Sequence, residues 1–225
     1  MVTDERFQGD EMLTARKWYD DLRIGDQAAH IYHSKADQGR VIIDALNWMD
    51  DESRLVMISD RWDDDPKQSR SRVLDAAMDE GRFIIVPARR PFYASGRFRP
   101  EALKDVISVE RDRALSEGYR GLVTIWDLEW LKDEPDDFEA HIVYQSTLPL
   151  SGLPSNLTLI WQYKASELTS QQLERVMRAN QLVLEDGKLS RQFWLVANST
   201  MGRSPRGRGN VELTWTSETA NIDNL

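Results

Sequence analysis

At 225 residues the chain is long enough for one sizeable α/β domain with a real core and slightly short for two. Its 30% charged and 40% hydrophobic residues are the balance of a globular protein, and a net charge of −9 argues against a nucleic-acid groove, which needs clustered Lys and Arg. The absence of cysteine excludes disulfides, a thiol nucleophile and Cys-based metal or redox sites, and three histidines (His30, His33, His141) leave little for a polyhistidine metal site.

No run approaches the ~18 apolar residues of a membrane span. The acidic start, MVTDERFQGDEM, is not the basic-then-apolar pattern of a secretory signal, so a cytoplasmic protein with no membrane or direct nucleic-acid partner is expected. Residues 1–22 read as an amphipathic helical arm, on Phe7, Met12, Leu13, Trp18 and Leu22. Ala28 to His33 reads as a first strand, followed by a turn and a helix through RVIIDALNWMDD with Val41, Ile42, Ala45, Leu46 and Met49 inward. Arg54 to Asp60 is a second strand with the continuous apolar run of a strand covered on both faces. The helix Lys67 to Glu80 is closed by Gly81, and Arg82 to Ala88 is a third strand ending in Arg89 and Arg90.

Pro100 and Glu101 suit the first turn of the next helix, whose apolar stripe is Leu103, Val106, Ile107, Ala114 and Leu115 and whose stop is Gly118. Gly121 to Leu131 is a fourth strand carrying Asp127 and Glu129. A helix from Phe138 to about Leu148, a fifth strand from Leu157 to Tyr163 and a short helix from Ser170 to Asn180 follow. The segment QLVLEDGKLSRQFWLV reads as an extended pair turning at Asp186 and Gly187, residues 198–210 as a flexible Gly/Ser/Arg loop, and VELTWTS as a last strand. Alternating strands and helices imply a mostly parallel central sheet with helices on both faces, in one domain over residues 1–225, with antiparallel C-terminal strands at one edge.

Ligands of open α/β sheets bind beyond the carboxyl ends of the strands. Those ends carry Asp60, then Arg89 and Arg90, then Asp127 and Glu129, then Gln162, Tyr163 and Lys164. Two carboxylates on one strand face can hold Mg²⁺ with waters, orient a water or pair with Arg89 and Arg90; the ion pair is the reading preferred here. A phosphate loop would need glycines ahead of its lysine. YHSKADQG puts Lys35 about where that lysine belongs, but no glycine precedes it and Ala36 lacks the metal-ligating hydroxyl. Neither G-x-S-x-G nor HExxH is present, so catalysis of those kinds is not expected.

Several pieces, in order, resemble the MEDS family of sensory domains: His30-Ile31, FYASGRF at Phe92 to Phe98, EGYRGL at Glu117 to Leu122, DLEWL at Asp127 to Leu131, Phe138-Glu139 and WQY at Trp161 to Tyr163. The resemblance implies a three-layer RecA/KaiC-like fold with a degraded phosphate loop. SKAD stands in the loop's place and VTIWD in that of the strand whose Asp helps hold Mg²⁺. It also implies a non-catalytic signal-relay domain that binds a small molecule, a C1 compound or hydrocarbon derivative, without a resident cofactor, and acts on a second copy or a signalling partner. The expected ligand-binding residues are His30, Lys35, Asp60, Arg89, Tyr93, Asp127, Glu129, Gln162 and Tyr163. The alternatives are residual binding or hydrolysis of Mg-nucleotide and a purely structural protein acting through oligomerisation.

Overall fold

A computed structural model describes residues 17–49, 51–60, 72–148 and 154–192. These fall within one compact unit, Met1–Trp194; the second unit, Leu195–Leu225, lies outside the described residues. So do most of the expected N-terminal arm, the 198–210 loop and the last strand. Of the arm, a 3₁₀ turn at Trp18–Asp21 is described, its Trp18 indole donating to Asp44 at 2.9 Å.

Seven strands form one sheet: β1 Gln27–Tyr32, β2 Ser53–Ile58, β3 Phe83–Val86, β4 Gly121–Asp127, β5 Leu157–Lys164, β6 Leu182–Glu185 and β7 Lys188–Arg191, in the order β3-β2-β4-β5-β1-β6-β7. Every pairing is parallel except β6 with β7. That last turn needs two successive left-handed residues, and Asp186 (φ 50°) and Gly187 (φ 72°) supply them, a combination that fits a two-residue hairpin. The helices are α1 Lys35–Trp48, α2 Arg72–Asp79, α3 Arg89–Phe92, α4 Ala102–Ser116, α5 Pro135–Thr147 and α6 Ser170–Ala179.

Because side chains alternate along a strand, the core divides across the sheet. Ala28, Leu55, Met57, Val123, Ile125 and Ile160 pack with α1, α2 and the Trp18 turn. Ala29, Val56, Ile58, Trp126, Leu159, Trp161 and Tyr163 pack with α3, α4, α5 and α6. The expected stripe of α1 is buried throughout, whereas Leu115 of α4 is 49% exposed, because it lies about 100° round the helix from the buried Ala114.

One correction bears on the site. The fourth strand does not reach Leu131; it ends at Asp127, and Glu129–Asp133 is a 3₁₀ turn. The Asp127 carboxylate accepts the Glu129 amide at 3.2 Å, a local turn that competes with strand continuation. Asp127 and Glu129 therefore do not share a strand face.

Candidate functional site

The parallel register lines up four polar residues at the carboxyl ends of the strands. Asp127 of β4 pairs with Gln162 of β5, and Gln162 with His30 of β1. Ser59 follows Ile58 of β2, which pairs with Trp126. All four lie on the α1 side of the sheet by strand alternation, and all are buried.

Above this row, Ser34 caps α1, its hydroxyl accepting the Asp37 amide at 3.1 Å, and so fixes Lys35 as the first helical residue. Lys35 Nζ donates to Glu129 Oε2 at 2.8 Å and to Gln38 Oε1 at 3.1 Å. Gln38 Nε2 donates to Gln162 Oε1 at 3.1 Å, and Gln162 Nε2 is 3.2 Å from His30 Nδ1 and 3.3 Å from the Gln38 carbonyl. An ammonium can only donate and a backbone carbonyl can only accept, so Lys35 and the Gln38 carbonyl together fix the orientation of both amides and leave His30 Nδ1 the acceptor, with the ring neutral. Burial pushes the His30 pKa down to about 4, consistent with that form.

Glu129 is 7% exposed and Lys35 49%. Lys164, at the end of β5, approaches the other Glu129 oxygen at 3.8 Å and pairs with Glu167 at 2.8 Å. Asp127 is occupied on both oxygens, by the Glu129 amide and by the Ser59 hydroxyl at 2.9 Å. Its contacts make it the residue that shapes the turn presenting Glu129. Among the described residues no group of three or more His, Asp or Glu is placed to hold a metal ion.

The structure thus brings together His30, Lys35, Asp127, Glu129 and Gln162. Asp60 and Arg89 form a neighbouring cluster: Asp60 accepts the Ala88 amide at 2.7 Å and the Arg89 amide at 3.0 Å, capping α3, and Arg89 lies 5.8 Å from the Trp130 ring centre. Tyr93 borders the same Trp130 ring at 6.1 Å and donates its hydroxyl to Asp137; burial and that bond raise its pKa. Tyr163 stands apart. It is next to Gln162 on β5 and so points to the opposite face, where its hydroxyl donates to Gln145 Oε1 at 2.8 Å.

Gln38 and Ser59 were not among the expected rim residues, and Lys164, expected at the rim, was not among the expected ligand-binding residues. Gln38 and Ser59 had a readable signal, as polar residues in step with apolar ones: Gln38 precedes Val41 and Ile42 by three and four positions, and Ser59 follows Leu55 and Met57 by even steps. Lys164 sits two residues beyond Gln162 and shares its face.

The model of the family described as MEDS, MEthanogen/methylotroph, DcmR Sensory domain, matches residues 28–181. The chain belongs to the MEDS family. The matched span contains all nine expected site residues, and membership in a family of sensory domains points to a sensory role. No curated protein matches this MEDS chain. Among solved structures, one from Pyrococcus horikoshii OT3 aligns with a TM-score of 0.48 at 10% identity over 76% of this chain and 87% of that one. EssC (ATPases 2 and 3) from Geobacillus thermodenitrificans aligns with a TM-score of 0.35 at 10% identity over 71% of this chain and 32% of that one.

Proposed function

We propose that this MEDS domain binds a small molecule, without catalysis, at the rim where β1, β5 and β4 end against the start of α1, and relays occupancy to a second copy or a signalling partner. The observation that carries the reading is the buried chain His30, Gln162, Gln38, which runs from the sheet to the half-exposed Lys35 and its partner Glu129. This chain opens toward solvent at the carboxyl ends of the strands, where ligands of such sheets bind. A C1 compound or hydrocarbon derivative is the class the family resemblance implies.

We read the fold as RecA/KaiC-like with a degraded phosphate loop. In support, α1 starts directly after β1 with Lys35 in its first turn, and Asp127 ends a strand one removed from β1. The same two positions favour the second reading, residual Mg-nucleotide binding. Against it stand the missing glycines before Lys35 and the engagement of Lys35 by Glu129.

A thermal-shift screen of C1 compounds, small metabolites and Mg-ATP on the wild type, Lys35→Met and His30→Gln tests both readings. A compound that stabilises the wild type and loses its effect in both variants is the expected result. A stabilising compound indifferent to both variants overturns the rim site. Saturable Mg-ATP binding that Lys35→Met abolishes favours the nucleotide reading instead.

A further inference from the structure

We propose that Lys35 and Lys164 are the two arms of an anion seat, that Glu129 is its built-in occupant, and that the sensed ligand carries a carboxylate or phosphoryl group which docks by displacing the Glu129 side chain. The inference rests on the rim reading above and assigns the chemistry of its ligand.

The two lysines come from separate elements, one opening α1 and one closing β5, and the register that pairs Tyr32 with Lys164 brings them to the same level of the rim. They address different oxygens of one carboxylate, Lys35 at 2.8 Å and Lys164 at 3.8 Å. The exposures are unequal: the carboxylate is 7% exposed, the cations 49% and 26%. The anion is therefore the desolvated member, and the ammonium groups reach it from the solvent side.

A carboxylate in that position has given up hydration that its release to water restores, so an arriving anion exchanges one lysine-bound carboxylate for another at little net desolvation. A cationic ligand would instead have to expel both lysines. The backbone is prepared for the exchange, because the Asp127 carboxylate holds the Glu129 amide at 3.2 Å. Displacement is then a rotation of the Glu129 side chain, with the 3₁₀ turn left in place. Trp130, the next residue, is 2% exposed and touches Arg89 and Tyr93, so movement at Glu129 has a spectroscopic reporter beside it.

The test is calorimetric titration of the full chain with inorganic pyrophosphate, succinate and formate at fixed ionic strength, with tryptophan emission followed in parallel, for the wild type, Glu129→Gln and Lys164→Met. The result expected is about tenfold tighter binding to Glu129→Gln and about tenfold weaker binding to Lys164→Met, the effect of one charge-assisted contact, with an emission change on saturation. Binding of pyrophosphate alone assigns a phosphoryl ligand, and binding of succinate or formate alone a carboxylate. Unchanged or weaker binding to Glu129→Gln overturns the proposal, as does absence of binding to both wild type and Glu129→Gln. Lys164→Met keeps the test decisive if Glu129→Gln does not fold: anion affinity unaffected by that substitution also overturns it. If a neutral compound stabilises the wild type through Lys35 and His30 while no anion binds, the rim site stands and the anion seat falls.

Discussion

The sheet carries a buried polar chain on each face, and the two terminate differently. On the α1 face, Lys35, Gln38, Gln162 and His30 are linked in series and end at a half-exposed ammonium. On the opposite face, Tyr163 donates to Gln145, Gln145 Nε2 donates to Asn180 at 3.0 Å, Gln27 Nε2 donates to the same Asn180 oxygen at 3.3 Å, and Asn180 Nδ2 ends on the Val176 carbonyl at 2.8 Å. That second chain ties β5, α5, α6 and β1 together wholly inside the protein and contains no group that is charged at neutral pH. Burial alone thus does not mark a binding site. What separates the two chains is an ionisable end that solvent and solutes can reach.

The comparison predicts opposite outcomes for mutations of the two chains. Gln145→Leu strands the buried Tyr163 hydroxyl and weakens the link to Asn180, so it should cost about 3 kcal/mol in urea unfolding while leaving any ligand response of the folded protein intact. A loss under about 1 kcal/mol would show the closed chain to be dispensable.

Acid should strain both faces next. His30 is held near a pKa of about 4, and His141, fully buried on α5 against Trp161, near about 3, each by burial, from an ordinary value of 6.5. Both folded values lie below the unfolded one, so the unfolded chain binds more protons, and the stability is fully present above pH 6.5 and lost as pH falls toward the folded values. Between pH 7 and pH 5 each histidine should cost about 2 kcal/mol of stability, and His141→Leu should remove about half of the combined slope. A pH profile unchanged by His141→Leu would refute the assignment. The smallest effect belongs to the open chain's end: Lys35→Met should cost about 1 kcal/mol, because the ammonium is half-exposed and Lys164 still faces the buried Glu129 carboxylate, yet abolish ligand response. A loss of several kcal/mol would make Lys35 a structural residue.

Much of this was legible in the chain. The second strand announced itself as a continuous apolar run, and Gly81, Gly118 and the Asp186-Gly187 turn all take the positive φ that their positions suggested. The site was half legible. His30, Lys35, Asp127, Glu129 and Gln162 do converge, but the fourth strand was carried through Leu128, Trp130 and Leu131, which are buried in a turn rather than on a strand. Apolarity reports burial there and says nothing of backbone shape; the stop comes from one carboxylate folding back two residues. Tyr163 could have been set apart by strand parity, since one face cannot take both Gln162 and its neighbour. The Lys35 to Glu129 contact joins residues 94 positions apart, and no local pattern carries such a pairing.

The fixed polarity of the open chain has a consequence for signalling. Each amide in it donates one way because the lysine at its head can only donate and the Gln38 carbonyl beside Gln162 can only accept, so a single amide cannot turn over without breaking the bonds of its neighbours. Drawing the Lys35 ammonium away frees the Gln38 amide oxygen, while the Gln38 carbonyl still holds the Gln162 amide and keeps His30 Nδ1 the acceptor. Gln38, bonded to the lysine through its side chain and to Gln162 through both its side chain and its carbonyl, is therefore the joint between the surface and the centre of the sheet.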